Sequence, residues 1–254
     1  MILIFLRLII FLLLTLALLP FQLIVFFLIK KFTYEIPYFY HILCRKIFGI
    51  KIKIFGNVSI NSPTLLISNH ASYLDILVLG SILKTSFVAK KEVAKWPLLG
   101  ILAKLQNTIF IDRKISSLIS QENEIIKHLN EKKNLVIFPE GTSSDGNRVL
   151  PFKSSLFNIF ERNLNSKISI QTVTIVYKKI NGKLLNYTDR KNITWHSNMD
   201  LITNIFNVLK KFNIEIEVIF NEKLLPGKEY DRKKIALYCW RKINYNLRNS
   251  LYRK

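Results

Sequence analysis

The feature that most constrains this chain is a long apolar stretch near its N-terminus. Residues Leu8 to Ile29 contain no charged side chain. The stretch has 22 residues, and as a helix it would be roughly 33 Å long at 1.5 Å per residue, enough to cross a bilayer core of about 30 Å. Arg7 precedes it and Lys30 and Lys31 follow it, so charge asymmetry does not decide its orientation. The pattern predicts a membrane helix.

Two details of the apolar stretch leave its topology open. Pro20 and Gln22 interrupt it near its middle, so a kinked span and a hairpin-like insertion from one membrane face are both compatible with it. A cleaved signal peptide is disfavoured because the apolar region is long and no small-x-small cleavage site follows it. We therefore predict that residues 1–50 form a retained, membrane-anchoring helical segment.

The charge balance of the chain favours an anionic partner. Its 254 residues include 38 Lys and Arg against 17 Asp and Glu, a formal net charge of +21. Nucleic acid, an anionic membrane surface and an anionic substrate would each suit this charge. The two cysteines, Cys44 and Cys239, are far apart and form no metal-like cluster. They fit a reducing compartment without a disulfide framework, and we expect no metal.

From residue 51 onward, short apolar runs alternate with polar turns, which is typical of an α/β layer architecture. We expect an amphipathic helix over 116–131 and a basic helix over 231–254 whose apolar side, including Leu237, docks on the domain. We therefore predict a single catalytic domain over 51–254, a partly parallel mixed sheet flanked by helices. The expected strands lie at 51–55, 64–68, 85–89, 108–111, 134–138, 167–177 and 214–220.

The stretch from residue 69 to residue 75 carries the clearest chemical signal. It lies between an apolar run at 64–67, interpreted as a buried strand, and an apolar run at 76–79 that starts a helix. His70 and Asp75 therefore lie at a strand-to-helix turn, where a carboxylate can orient a histidine that acts as a general base. Alternatively, Ser72 and Asp75 fit a capping box, which would make Asp75 purely structural.

Two further segments offer groups for binding an anionic or hydroxylated ligand. Arg113 lies two positions after the apolar run at 109–111, and its guanidinium could bind a phosphate through two parallel hydrogen bonds. In the segment that follows the predicted strand at 134–138, Gly141 permits close approach of a ligand to the backbone. Beside it, Glu140 can accept hydrogen bonds from hydroxyls, and Thr142 offers a donor to an anion.

In this order, the three segments resemble the motifs of the glycerolipid acyltransferases, the family of lysophosphatidic acid acyltransferases. Residues 69–75 match the first motif, N-H-x-S-x-x-D, and residues 138–142 match the third, F-P-E-G-T. Residues 109–113 are similar to the second motif, which ends in a phosphate-binding Arg. The resemblance covers roughly residues 50–220.

The chain departs from the family pattern at three places that bear on headgroup choice. Asn107 and Thr108 stand where a Gly is common, Ser143 stands where an Arg is common, and Thr172 stands where a Pro is usual. The continuation over residues 143–153 is similar to a branch that includes lyso-ornithine lipid acyltransferases.

The resemblance implies transfer of a fatty acyl group from acyl-CoA or acyl carrier protein to the free hydroxyl of a lysolipid. It places 1-acylglycerol 3-phosphate first as the acceptor, with lyso-ornithine lipid as the alternative, and it implies no cofactor. His70 would be the base and Asp75 would orient it. The residues implied to hold the acceptor are Arg113, Glu140, Gly141 and Thr142.

The implied location is the inner membrane, with the catalytic domain on the cytoplasmic face, where thioester donors are made. A membrane-tethered nucleic-acid binder is the competing, non-enzymatic interpretation of a basic chain with an apolar anchor. The sequence shows no zinc finger, helix-turn-helix or RNA-binding aromatic strand pair, so we expect no nucleic-acid partner. The oligomeric state is left open.

Overall fold

A computed structural model describes residues 2–58, 64–112, 118–131, 133–162, 168–226 and 231–253. The helices are α1 (Ile2–Leu28), α2 (Glu35–Ile47), α3 (Leu74–Gly80), α4 (Leu99–Leu105), α5 (Leu118–Asn130), α6 (Asn158–Arg162), α7 (Tyr187–Ile193), α8 (Leu201–Leu209) and α9 (Arg232–Tyr252). The strands are β1 (Ile50–Phe55), β2 (Thr64–Ser68), β3 (Thr85–Lys90), β4 (Ile109–Ile111), β5 (Asn134–Ile137), β6 (Ser169–Ile180), β7 (Lys183–Leu184) and β8 (Ile214–Leu224).

The described strands form one mixed sheet in the order β1, β8, β6, β2, β5, β3, β4, with β7 paired to β6. Its neighbours are parallel, except that β6 pairs antiparallel with both β7 and β8. The carboxyl ends of β2, β5 and β3 therefore meet at one edge of the sheet. Ser68, the last residue of β2, pairs with Val173, whereas β6 continues to Ile180. The second half of β6 thus lies beside the chain that leaves β2.

Helices cover both faces of this sheet. In β2, Leu66 packs in a core with residues of α3 and α8, while Leu65 and Ile67 pack in a second core with residues of α5 and α9. Successive side chains of a strand point to opposite faces, so a strand that is apolar at every position needs a helical layer on each side. This arrangement confirms the predicted α/β class with a parallel-rich sheet.

The N-terminal apolar helix α1 is long and apolar enough to cross a membrane. It runs as one helix through Pro20, so neither Pro20 nor Gln22 ends it. Most of its side chains are exposed, yet polar groups along one side join it to the rest of the chain. These hydrogen bonds run from Arg7 Nη1 to the Leu209 carbonyl at 2.9 Å, between Thr15 Oγ1 and Tyr40 Oη at 2.9 Å, and from Gln22 Nε2 to the Leu105 carbonyl at 2.7 Å.

The predicted strands are all present, with shifts at their ends. β6 and β8 extend beyond their predicted ends to Ile180 and Leu224. The C-terminal helix is present, but the prediction that Leu237 docks on the domain is wrong, because that side chain is 47% exposed. β7, α7 and α8, which lie between β6 and β8, are not among the predicted elements. The division at residue 50 between an anchoring segment and a catalytic domain stays a prediction.

Candidate active site

The turn that carries His70 is held by hydrogen bonds that replace strand pairing. Asn69 Nδ2 donates to the carbonyl of Ile175 at 2.9 Å, and Asn69 Oδ1 accepts from the Ile175 N–H at 2.8 Å. The amide side chain therefore continues the β2–β6 ladder for one step beyond the end of β2. From the opposite side, the N–H of Ser144 donates to the carbonyl of His70 at 2.8 Å. His70 thus lies on a turn that is fixed on both sides.

Asp75, in the first turn of α3, is fully buried and accepts four hydrogen bonds. Its Oδ2 accepts from His70 Nδ1 at 2.8 Å and from the backbone N–H groups of Ala71 at 2.7 Å and Ser72 at 3.0 Å. Its Oδ1 accepts from the hydroxyl of Tyr177 at 2.7 Å. The bond to Ser72 is the backward half of the predicted capping box. Asp75 therefore both caps the turn and contacts His70.

This pattern of donors assigns the tautomer of His70. Two backbone N–H groups can only donate, so Asp75 Oδ2 is an acceptor. The nitrogen that faces it, His70 Nδ1, then carries the ring hydrogen, and Nε2 presents its lone pair. Within the described part of the chain, no group bonds Nε2, and the side chain of His70 is 19% exposed. The lone pair is therefore open to an incoming hydroxyl.

An aromatic wall holds the imidazole plane. The ring of Phe138, directly after β5, stacks on His70 with 4.2 Å between centroids and 22° between planes. Phe87 of β3 stacks in turn on Phe138, at 6.3 Å and 11°. His70 therefore has its ring packed by a neighbouring strand end and its Nδ1 bonded to Asp75, which leaves little freedom about its side-chain torsions.

Glu140 joins the turn of His70 to the loop that follows β5. Its Oε1 accepts from the backbone N–H of His70 at 2.8 Å, and its Oε2 accepts from the N–H of Leu150 at 2.8 Å. The residue is 3% exposed, and this burial raises the pKa of the Glu140 carboxyl to about 8, against the two N–H bonds that lower it. Both oxygens are thus occupied by the backbone, and Glu140 positions two loops in this structure.

Gly141 and Lys153 form a close backbone–side-chain contact beside the turn. Gly141 has φ +65°, and a Cβ there would lie 2.6 Å from Lys153 Nζ. The N–H of Lys153 donates to the carbonyl of Pro139 at 2.9 Å, which fixes where its side chain starts. Among the ion pairs between described residues, none includes Lys153. Thr142, next to Gly141, is exposed. The ammonium group of Lys153 and the hydroxyl of Thr142 therefore belong to the loop after β5, which adjoins the turn of His70.

The structure brings His70 and Asp75 into contact and places Glu140, Gly141 and Thr142 on the adjoining loop. Arg113 lies outside the described residues, and its role stays a prediction. No group of three His, Cys, Asp or Glu residues in the described ranges could hold a metal ion. Sequence reasoning missed Tyr177, which is 102 positions from Asp75. No local pattern indicates such a pair. The one available signal is that Tyr177 ends an apolar run, where a buried tyrosine hydroxyl needs a hydrogen-bond partner.

The fold and the site are those of an α/β protein with a His–Asp pair at the carboxyl edge of a parallel-rich sheet. Comparison with known proteins gives the class: residues 50–176 match the family described as Acyltransferase. The lyso-ornithine lipid O-acyltransferase of Brucella abortus (strain 2308) is 34% identical over 243 residues, covering 94% of this chain and 91% of that protein. The chain therefore belongs to the Acyltransferase family, and it is an acyltransferase that uses an acyl donor and a lysolipid acceptor.

Two other relatives define the breadth of the similarity. The 1-acyl-sn-glycerol-3-phosphate acyltransferase of Neisseria gonorrhoeae is 32% identical over 120 residues, which cover 47% of this chain and 46% of that protein. The crystal structure of the 1-acyl-sn-glycerophosphate acyltransferase PlsC from Thermotoga maritima superposes with a TM-score of 0.62 at 17% identity, covering 98% of this chain and 99% of that one. At this identity the superposition concerns the fold, which it shares from end to end.

Proposed function

We propose that this enzyme O-acylates a lyso-ornithine lipid. The observation that carries the proposal is the extent of the similarity to the Brucella enzyme, which covers both chains almost completely. The similarity to the Neisseria enzyme covers less than half of either chain. The sequence motifs place 1-acylglycerol 3-phosphate first and lyso-ornithine lipid second; the full-length similarity favours the reverse order.

The proposed chemistry uses the exposed lone pair of His70 Nε2. The hydroxyl of the lysolipid attacks the carbonyl carbon of the thioester while Nε2 takes its proton. The carbon–sulfur bond then breaks, and the imidazolium returns the proton to the thiolate that leaves. Asp75 stabilises the positive charge on the imidazole between these two steps, and an acyl-enzyme is not needed. Ser72 would have no role as a nucleophile, because its hydroxyl lies at the buried start of α3.

The second candidate acceptor is 1-acylglycerol 3-phosphate. It is favoured by the similarity to the Neisseria enzyme over residues of the catalytic region. In this case Arg113, Gly141 and Thr142 would hold the phosphate. With lyso-ornithine lipid, the anionic group to be held is the carboxylate of ornithine. Both acceptors thus present an anion to the loop that contains Thr142 and Lys153.

The proposed donor is acyl-CoA or acyl-acyl carrier protein, since both are anionic and the chain has a net charge of +21.

We place the catalytic domain on the cytoplasmic side of the inner membrane, attached through α1. Both cysteines of the chain are free and buried. The variant Ile119→Cys, at a position that is 59% exposed on α5, therefore adds one accessible thiol that can report on which side of the membrane the domain lies. Labelling by an impermeant maleimide in inverted vesicles and not in spheroplasts is expected; the opposite pattern would contradict the placement.

An acceptor competition tests the proposed reaction. Purified enzyme receives equal concentrations of lyso-ornithine lipid and 1-acylglycerol 3-phosphate with labelled acyl-CoA or labelled acyl-acyl carrier protein, and both products are quantified. We expect kcat/KM for lyso-ornithine lipid to exceed that for the phosphate-bearing acceptor by about tenfold or more. The reverse ratio would establish the second candidate. Transfer to neither acceptor, with a donor that an unrelated acyltransferase accepts, would contradict both.

A further inference from the structure

We propose that Tyr177 is a positioning residue of the reaction: its hydroxyl holds Asp75 as the anionic partner of His70. The inference rests on the proposed role of His70 as the base. Tyr177 belongs to β6, at the position directly after the region 50–176 that matches the family. Its contact with Asp75 therefore involves a residue outside the three sequence motifs and outside the matched region.

The geometry of the contact is that of a strong hydrogen bond. The hydroxyl of Tyr177 donates to Asp75 Oδ1 at 2.7 Å, and neither side chain has any exposed surface. Hydrogen bonds to an ionised acceptor are shorter and stronger than neutral ones, particularly where water is excluded. Without this donor, none of the hydrogen bonds that Asp75 makes with described residues would reach Oδ1, because the backbone donors and His70 all bond Oδ2.

Tyr177 stays a donor throughout the working pH range. Burial and the neighbouring charge of Asp75 raise the pKa of its phenol well above the ordinary value. Among the described residues, the titratable groups around the pair are His70, which bonds Asp75 directly, Glu140, whose carboxyl is largely uncharged below its raised pKa of about 8, and Tyr73, whose own phenol pKa is raised by burial. The phenol therefore keeps its hydrogen and donates it to Asp75.

The backbone supports this placement of the tyrosine. The guanidinium of Arg190 in α7 donates through Nε to the carbonyl of Tyr177 at 3.0 Å and through Nη2 to the carbonyl of Leu185 at 2.8 Å. Arg190 is itself 5% exposed. The segment between β6 and β8, which no motif marks, thus fixes the strand position from which the phenol reaches Asp75.

Two changes of the phenol should move the pH–rate profile in opposite directions. In Tyr177→Phe, Asp75 loses a donor and becomes a stronger acceptor for the Nδ1 hydrogen of His70. The imidazolium then persists to higher pH, so the acidic limb of the kcat/KM profile moves to higher pH. Replacement of Tyr177 by 3-fluorotyrosine makes the phenol a stronger donor and exchanges only one ring hydrogen for fluorine, so the acidic limb should move to lower pH. We expect kcat of Tyr177→Phe to fall about tenfold, with KM for the thioester donor unchanged.

Tyr34→Phe is the control, since it removes a hydroxyl that bonds Ser86 at 3.2 Å and takes no part in the bonds of Asp75. The positioning role would be overturned if Tyr177→Phe kept the wild-type pH profile and lost no more activity than Tyr34→Phe. In that case the loss of rate would simply follow the fall in Tm. If Tyr177→Phe does not fold, an unmoved acidic limb in the 3-fluorotyrosine protein would overturn that role in its place. Full activity in His70→Ala would instead overturn the proposed role of His70 as the base, so the two failures are distinguishable.

Discussion

The backbone N–H of His70 donates to Oε1 of Glu140 at 2.8 Å. This bond joins the turn after β2 to the loop after β5, so the first and third sequence motifs are parts of one rigid unit. The sequence motifs assign Glu140 to the acceptor. With Leu150 bonded to its other oxygen, we expect Glu140 to act instead through the position of His70.

Glu140 should make the stability of the protein depend on pH. Burial raises its pKa from 4.5 to about 8, so the folded state binds a proton more tightly than the unfolded chain. The stabilisation from this group is complete below pH 4.5 and is lost as the pH rises through 8. We expect the wild-type Tm to decline across this window and the decline to be smaller in Glu140→Gln.

Glu140→Gln should also be less stable at pH 5, because its single acceptor oxygen leaves the N–H of His70 or Leu150 without a partner. An unpaired buried donor costs about 1–3 kcal/mol. Scanning calorimetry of both proteins at several pH values measures both effects. Equal slopes of Tm against pH in the two proteins would show that Glu140 does not titrate in this way.

Asp75→Asn separates orientation of His70 from helix capping. The amide retains one acceptor oxygen. If its NH₂ group faces His70 Nδ1, the imidazole must take the other tautomer and Nε2 loses its lone pair; if it faces Tyr177, the phenol can no longer donate to that position. We expect a loss of acyl transfer of about 10²-fold or more, as for loss of general-base help. Asp200→Asn is the control, since Asp200 caps α8 through the N–H of Thr203 at 2.7 Å. If the two variants lose activity equally, capping alone explains Asp75.

Gly141→Ala should impair use of the acceptor. The new methyl group would meet Lys153 Nζ at 2.6 Å and displace the cation that we propose lies next to the bound acceptor. We expect KM for the lysolipid to rise more than KM for the thioester. Gly182→Ala is a matched control, because Gly182 also has positive φ, +81°, but nothing lies within 4 Å of its added Cβ. Equal effects in both variants would indicate backbone strain alone.

Gln22→Leu tests how α1 is joined to the domain. Gln22 Nε2 donates to the carbonyls of Thr33 at 3.0 Å and Leu105 at 2.7 Å. Leucine leaves both carbonyls unpaired, at a cost of about 1–3 kcal/mol each. We expect a lower Tm in detergent, although the variant is more apolar. Leu23→Ala, a change at a partly exposed neighbour, should have a smaller effect. A Tm for Gln22→Leu at or above the wild-type value would contradict the docking.

The sequence predicts the parts of this fold whose signals are local. The strands around β2 and β5 are short apolar runs, and the turn from residue 69 to residue 75 lies between such a run and a helix. By contrast, α7 has the polar sequence Tyr187–Ile193 without apolar periodicity, and its local helix signals are limited to the N-cap Asn186 and to Asp189 in the first turn. In the sequence, Gln22 is only a polar interruption of an apolar helix. Its role could not be predicted, because its partners at Thr33 and Leu105 are brought to it by the fold.

The chemistry of the candidate site divides in the same way. The spacing of His70 and Asp75 along one turn already implies their contact, because both lie on the same local structure. The partners of Asp75 and Glu140 depend on how strands order themselves in the sheet: β6 lies next to β2 only because the chain crosses over. The Tyr177 hydroxyl and the Leu150 N–H reach the site through that topology, which residue spacing does not encode.

The most direct test of the central claim is the initial rate of acyl transfer by His70→Ala, measured with a labelled thioester donor and lyso-ornithine lipid at saturation. If His70 Nε2 removes the proton of the acceptor hydroxyl, the rate should fall by about 10²–10⁴-fold. The protein should still fold, because Asp75 keeps its bonds to the N–H groups of Ala71 and Ser72 and to the hydroxyl of Tyr177. A folded His70→Ala protein that transfers acyl groups at a rate near the wild-type value would contradict the account.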